Sequence, residues 1–139
     1  MPPVFGRATL HAMLRPSRPR TTAHRQKAES AGRRGERLAG WWLRLTGWQV
    51  LDRRVRTPAG EVDLVARRGS LVAFIEVKTR ATAADLDWAI DERRLARVAA
   101  TAELLMPRYA GPGDDIRVDV LLLAPGCRPR HIENAWIGG

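Results

Sequence analysis

Residues 60–80 read G-E-V-D-L-V-A-R-R-G-S-L-V-A-F-I-E-V-K-T-R, two apolar, β-branched runs joined by Arg67-Arg68-Gly69-Ser70. This pattern predicts a β-hairpin with Gly69-Ser70 as a two-residue loop, Gly supplying positive φ at the first loop position. In that register Arg68 faces Leu71, Val65 faces Phe74, Asp63 faces Glu76 and Glu61 faces Lys78. Side chains alternate between faces along a strand. Asp63, Glu76 and Lys78 therefore share one face with Val65, Val72 and Phe74, while Val62, Leu64 and Ala66 lie with Leu71, Ala73, Ile75 and Val77 on the other.

The rest of the chain supplies elements to cover that hairpin. Over Ala31–Gly47, Leu38, Trp41, Trp42 and Leu45 follow i, i+3, i+4, i+7 spacing, which predicts a helix that, apolar most of the way round, packs against the sheet and is largely covered. Glu36, Ala39 and Leu43 form a second face, and Gly47 suits the C-terminal cap. Trp48–Arg56 predicts a first strand, and Thr57-Pro58-Ala59-Gly60 turns it into the hairpin. Ala81–Leu86 reads as a loop, with Asp85 or Asp87 capping a helix that starts near Trp88. That helix carries Leu95, Val98, Ala99, Ala102, Leu105 and Met106 on one stripe and ends at Pro107. Gly111–Asp115 is a turn, Ile116–Ala124 a strand dense enough in Val and Leu to be central, and His131–Ile137 a short last strand. The fold class expected is α/β: a single domain with a mixed sheet, the hairpin central and two helices flanking it.

The chemistry follows from the hairpin register. Directly opposed residues have Cβ atoms about 4.5–5.5 Å apart, so Asp63 and Glu76 could hold one divalent cation, Mg2+ or Mn2+. Two like charges facing each other destabilise a sheet, and buried carboxylates are tolerated when they are paired or bind metal. The bland alternative is that Glu76 pairs with Lys78 or Arg80 on a solvated strand. Glu36 has two readings as well: an acid favoured by the helix dipole, or a further acid brought to the hairpin. Arg53, Arg54 and Arg56 are either phosphate contacts or the charged protection of an edge strand. Asp119 and His131 read as structural residues, and His131 lacks a second ligand at zinc spacing.

The spacing D-x12-E-x-K on a hairpin is similar to the motif of the PD-(D/E)xK nucleases. More closely, G-E-V-D-L-V-A and F-I-E-V-K-T-R resemble the signature of the YraN family, uncharacterised bacterial proteins that are themselves distantly similar to archaeal Holliday-junction resolvases. G-R-R-G-E-R-L-A near residue 35, R-V-D-V at 117–120 and H-I-E-N-A-W at 131–136 resemble the same family, so the likeness covers about Gly32 to Trp136. It implies a restriction-endonuclease-like fold and a metal-dependent endonuclease acting on DNA, branched DNA included. Asp63 and Glu76 would bind the metal, and Lys78 would position and activate water. Glu36 matches an active-site Glu of the resolvase-like enzymes. Where the family commonly has Lys, this chain has Arg94, which keeps the charge and phosphate affinity but cannot readily give up a proton.

Composition narrows the picture. The chain has 139 residues, 45% of them apolar, the length of one domain. The formal charge is +9, and residues 1–35 carry eight Arg/Lys against one Glu. The basic excess thus lies in an N-terminal arm that attracts phosphate or anionic surfaces. Residues 1–30 read as a disordered extension or the product of a mis-set start codon, and 31–139 as the folded domain. No run approaches the ~20 apolar residues of a membrane span. The single Cys127 excludes a disulfide framework and suits a reducing cytoplasm. Two other functions fit the same residues. One is an inactive nucleic-acid-binding module; the other is an interaction domain exposing Trp41, Trp42 and Trp88, with a homodimer as its natural partnership.

Overall fold

In the computed structural model, residues 22–86 and 90–136 are described, with side chains from residue 32 onward. The chain divides into two compact units, Met1–Ala31 and Gly32–Gly139, and the sheet lies wholly in the second. The elements are α1 (Thr22–Leu45), β1 (Gln49–Thr57), β2 (Gly60–Arg68), β3 (Leu71–Thr79), a short α2 (Ala83–Leu86), α3 (Glu92–Tyr109), β4 (Asp115–Leu123) and β5 (Arg130–Ile132). The five strands form one sheet in the order β1-β2-β3-β4-β5. All neighbours are antiparallel except β3 and β4, which run parallel, as a strand–helix–strand crossover through α3 requires. The expected α/β architecture with a mixed sheet and flanking helices is therefore present.

Each face of the sheet carries its own core. Val55, Val65, Val72, Phe74, Val118, Val120 and Leu122 pack with Leu95, Val98, Ala102 and Leu105 of α3. On the opposite face Leu64, Ala66, Ala73, Ile75, Leu121 and Leu123 pack with Ala39 and Leu43 of α1 and with Trp48. The loop register expected from Gly69-Ser70 holds from Arg68↔Leu71 to Leu64↔Ile75, with Gly69 at φ +61. Gly47, at φ +93, ends α1, and Trp48 N–H reaches back to the Leu43 carbonyl at 2.8 Å.

Several expectations need correction. Helix α1, expected to be largely covered, leaves one stripe outward: Leu38, Trp41 and Leu45 are 62%, 65% and 71% exposed. Trp42 of that set is half-buried, and Ala39 and Leu43 on the second face are fully buried. The small residues Gly35, Ala39 and Gly40 let the helix backbone sit close to the strands, which large side chains would prevent. A Cβ on Gly35 would lie 2.6 Å from Thr79 Cγ2. The helix also begins at Thr22 instead of residue 31.

Inside the expected loop 81–86 stands the four-residue α2, so Asp85 belongs to that turn. Asp91 caps α3, its carboxylate accepting from Arg93 N–H at 2.9 Å. Pro107 lies inside α3, which runs on to Tyr109; a Pro so near the end forfeits one hydrogen bond, and Ala110 N–H still closes the last turn on Met106 O at 2.9 Å. Met106 is 37% exposed, off the buried stripe. The last strand is limited to Arg130–Ile132. Residues 1–21, Asp87, Trp88 and Ile137 lie outside the described residues. No helix of the described residues is long and apolar enough to cross a membrane.

Candidate functional site

The β2–β3 ladder stops just where the acids begin. Asp63 does not sit opposite Glu76 as a ladder partner; its Oδ2 accepts a hydrogen bond from Val77 N–H at 2.7 Å. The carboxylate takes the place of a strand-to-strand hydrogen bond, and the two strands part. Glu61 correspondingly turns away from Lys78 and pairs across β1 with Arg56 at 3.2 Å.

A second irregularity faces Asp63 from β1. Arg54 has φ +49, in the left-handed region, where non-Gly residues are uncommon and which is costly unless the surroundings hold it. It falls between the ladder pairs Arg53↔Leu64 and Val55↔Val62. Across this point both strands exchange faces: Leu64 belongs to the core under α1, whereas Val55 and Val62 belong to the core under α3. Val62 is thus on the opposite side from the one strict alternation assigns it. The twist aims Arg54 at α1, and its Nε donates to Glu36 Oε2 at 2.7 Å.

Glu36, Asp63, Glu76 and Lys78 are brought into one neighbourhood by these features. Glu76 is 2% exposed. Its Oε1 accepts from Arg94 Nε at 2.7 Å and lies 3.4 Å from Lys78 Nζ. Asp63 is partly buried, and among the described residues no cation forms a salt bridge with it. Burial first, and then the nearby charge of Glu76, push its carboxyl up to about 7, with Glu36 adding to the effect. Burial opposes the Arg94 charge, but its hydrogen bond to Glu76 and that acid's charge more than offset this, so the guanidinium stays protonated above even its usual range. A small open depression beside these groups is lined by Glu76, Lys78, Ile90, Asp91, Arg94, Leu95 and Val120.

Of the arginines expected to meet phosphate, Arg54 is committed to Glu36 and Arg94 to Glu76. Arg56 is 79% exposed in its pair with Glu61, and Arg53 is exposed on the edge strand beside Gly40. Asp119 and His131 form a separate network on the α1 face. Asp119, fully buried, accepts two hydrogen bonds from Arg117 at 2.8 Å, lies 2.7 Å from His131 Nε2, and accepts from Asn134 N–H at 2.9 Å. Burial alone would raise its carboxyl; these bonds together hold it below the ordinary carboxylate value. It is a structural acid that ties β5 to β4.

A model of the uncharacterised protein family UPF0102 matches residues 35–123, from the Gly35 contact to the end of β4. The chain belongs to the UPF0102 family. Similar UPF0102 proteins occur in Sphingopyxis alaskensis (64% identical over 112 residues, 81% of this chain and 97% of that protein) and Erythrobacter litoralis (63% over 112 residues, with the same coverage). Another, in Rhizorhabdus wittichii, is 57% identical over 114 residues, 82% of this chain and 97% of its own. The family range contains Glu36, Asp63, Glu76, Lys78 and Arg94 together.

Two features of this UPF0102 site escaped the sequence. Asp91 lines the depression, and its only signal was an acid ahead of a helical stripe, the ordinary mark of a cap. The left-handed Arg54 had no signal, since Arg is not a residue type that announces positive φ. Among the described residues no group of three or more acids, histidines or cysteines is arranged to hold a metal. The donor set on offer is the pair Asp63 and Glu76. By donor type such a pair would suit Mg2+, which is commonly held by one or two carboxylates with water and phosphate oxygens completing its shell.

Proposed function

We propose that this protein is a metal-dependent nuclease that hydrolyses DNA phosphodiester bonds, branched DNA among its substrates. The observation that carries the reading is the pair Asp63 and Glu76, gathered where the sheet splits, with Asp63 pushed up to about 7 by burial and its neighbour's charge. Burial and the neighbouring carboxylate disfavour the charged form of Asp63, which a cation beside it would favour. Asp63 and Glu76 would hold Mg2+ or Mn2+. The bound ion would supply a more acidic water and offset phosphate charge.

The protein's own groups do the rest. Val77 N–H fixes Oδ2 of Asp63, and Oδ1 would be the oxygen offered to a ligand. Lys78, only 17% exposed, presents its ammonium beside Glu76, placed to orient water and to stabilise negative charge developing on phosphate. Arg54 holds Glu36 at the rim, where its charge acts on Asp63. The exposed Arg53 and Arg56 supply salt-dependent backbone affinity.

A second reading, a nucleic-acid-binding module without turnover, is favoured by one observation: Glu76 is buried and already matched by Arg94 and Lys78. The test is cleavage of labelled single-stranded, duplex, flap and four-way-junction DNA with Mg2+, Mn2+ or EDTA, beside Asp63→Asn and Lys78→Ala proteins. Cutting that needs metal and is lost in both variants supports the nuclease. Cutting that survives both variants refutes the assignment, and binding without cutting leaves the module.

A further inference from the structure

Glu76 Oε1 is contested. Arg94 Nε stands 2.7 Å from it and Lys78 Nζ 3.4 Å from the same atom. The carboxylate is buried whereas the Arg94 side chain is 47% exposed. Arg94 is the third residue of α3, just after the Asp91 cap, so its long side chain can turn outward without disturbing either the helix or the sheet. A divalent ion on this carboxylate would sit about 2.0–2.1 Å from its oxygens, next to a guanidinium that cannot lose its proton. Two cations so close repel in this weakly screened place. One of them must yield, and only Arg94 has somewhere to go.

We propose that Arg94 is a built-in competitor for the cation site: it and a divalent cation exchange on Glu76, and the displaced guanidinium then takes a phosphate of the bound nucleic acid. The proposal rests on the reading of Asp63 and Glu76 as a cation site. It deepens that reading by making cation and substrate binding cooperative through one side chain. The planar fork of Arg matches a phosphate as well as it matches Glu76, and the depression that Arg94 lines beside Lys78 is open to solvent. The contact seen with Glu76 thus protects a buried acid until a metal ion replaces it, and cation entry releases a phosphate-binding group at the place where one is wanted.

The test measures Mn2+ affinity by the paramagnetic signal of the free ion, and affinity for a short DNA duplex with Ca2+ or with EDTA. The full chain is compared with Arg94→Gln, Arg94→Lys, Arg93→Gln, Asp63→Asn and Glu76→Gln. Arg93 carries the same charge on the same helix turn and is exposed, so it controls for charge alone; thermal unfolding confirms that each protein is folded. Arg94→Gln should bind Mn2+ about tenfold more tightly, within the usual range of site-to-site coupling, and should lose most of the Ca2+-dependent gain in DNA affinity. Arg94→Lys should stay nearer the parent than Arg94→Gln, and Arg93→Gln should change Mn2+ affinity less than twofold. Equal or weaker Mn2+ binding by Arg94→Gln, while Asp63→Asn still abolishes binding, overturns the competition and leaves the cation site standing. A gain in Arg93→Gln equal to that in Arg94→Gln overturns it too. Mn2+ binding indifferent to both Asp63→Asn and Glu76→Gln overturns the cation site itself, and this proposal with it.

Discussion

Asp63 makes stability a readout of the site. Its carboxyl moves from 3.8 to about 7 on folding, first through burial and then through the charge of Glu76. Between those values the folded protein holds a proton that the unfolded chain has released, so this group's contribution to stability falls as pH rises. Below 3.8 there is no cost; above 7 the cost is complete and amounts to about 4 kcal/mol at about 1.4 kcal/mol per pH unit. Most of the fall, about 2–3 kcal/mol, occurs between pH 5 and pH 8. Asp63→Asn keeps an oxygen for the Val77 N–H and removes the titration. Urea unfolding of the two proteins at pH 5, 6, 7 and 8 gives the contribution of Asp63 together with its coupling to the neighbouring charges. Asp63→Asn should gain on the parent steadily with pH, by about 2–3 kcal/mol in total. Saturating Mg2+ should stabilise the parent at pH 8, by about 2.7 kcal/mol at a hundred times its Kd, and leave Asp63→Asn unmoved. A difference that is flat from pH 5 to pH 8 would refute the account of a buried acid repelled by its neighbour.

Other consequences concern the scaffold. Asp119→Ala removes a fully buried acid and strands Arg117 and His131; it should cost about 3–5 kcal/mol in urea unfolding, and the parent's own advantage should fade as pH drops through the lowered carboxyl of Asp119. Leu43→Ala should cost about 2–5 kcal/mol, whereas Trp41→Gln and Leu45→Gln should each stay within about 0.5 kcal/mol, a direct check of which face of α1 is the core. Gly35→Ala sets a Cβ 2.6 Å from Thr79 Cγ2; it should destabilise by about 1–3 kcal/mol and, by pushing α1 outward, lower the pH at which Asp63 titrates.

Much of this was legible in the sequence because hairpins are written locally. Gly69 and two β-branched runs determined the register from Arg68↔Leu71 to Leu64↔Ile75, and with it the face of Glu76 and Lys78. The same alternation misplaced Val62, because the left-handed Arg54 and the ladder break at Asp63 reverse both strands and neither is a property of a residue type. The spacing of Leu38, Trp41 and Leu45 marked α1 as a helix correctly, but of the two apolar faces expected to be covered only the one with Ala39 and Leu43 is buried. Hydrophobic spacing reports what a helix could bury; closeness of approach, decided here by Gly35, Ala39 and Gly40, selects what it does bury. The partners of Glu36 and Glu76 come from elements 18 residues away in either case, and no local pattern encodes such distances.

Those local failures coincide in space, which bears on function. A hairpin selected only for stability would continue its ladder past Leu64, keep Arg54 in β geometry and place apolar side chains where Asp63 and Glu76 lie. Here the ladder opens, a non-Gly residue takes a left-handed φ, two strands exchange faces and a glycine lets a helix press against the end of β3. Each departure carries its own cost, and each serves to bring one charged group to the same few residues. Glu36 is answered by Arg54 and Glu76 by Arg94 and Lys78, so two of the three acids are matched within the fold. Among the described residues Asp63 forms no ion pair, and its Oδ2 is held by the Val77 N–H alone. Consistency across local rules is the mark of a scaffold, and violations gathered at one place are the mark of a site. An acid left unmatched at the centre of such a place argues for a cation or a proton as its working partner, and the pH series in Mg2+ distinguishes the two.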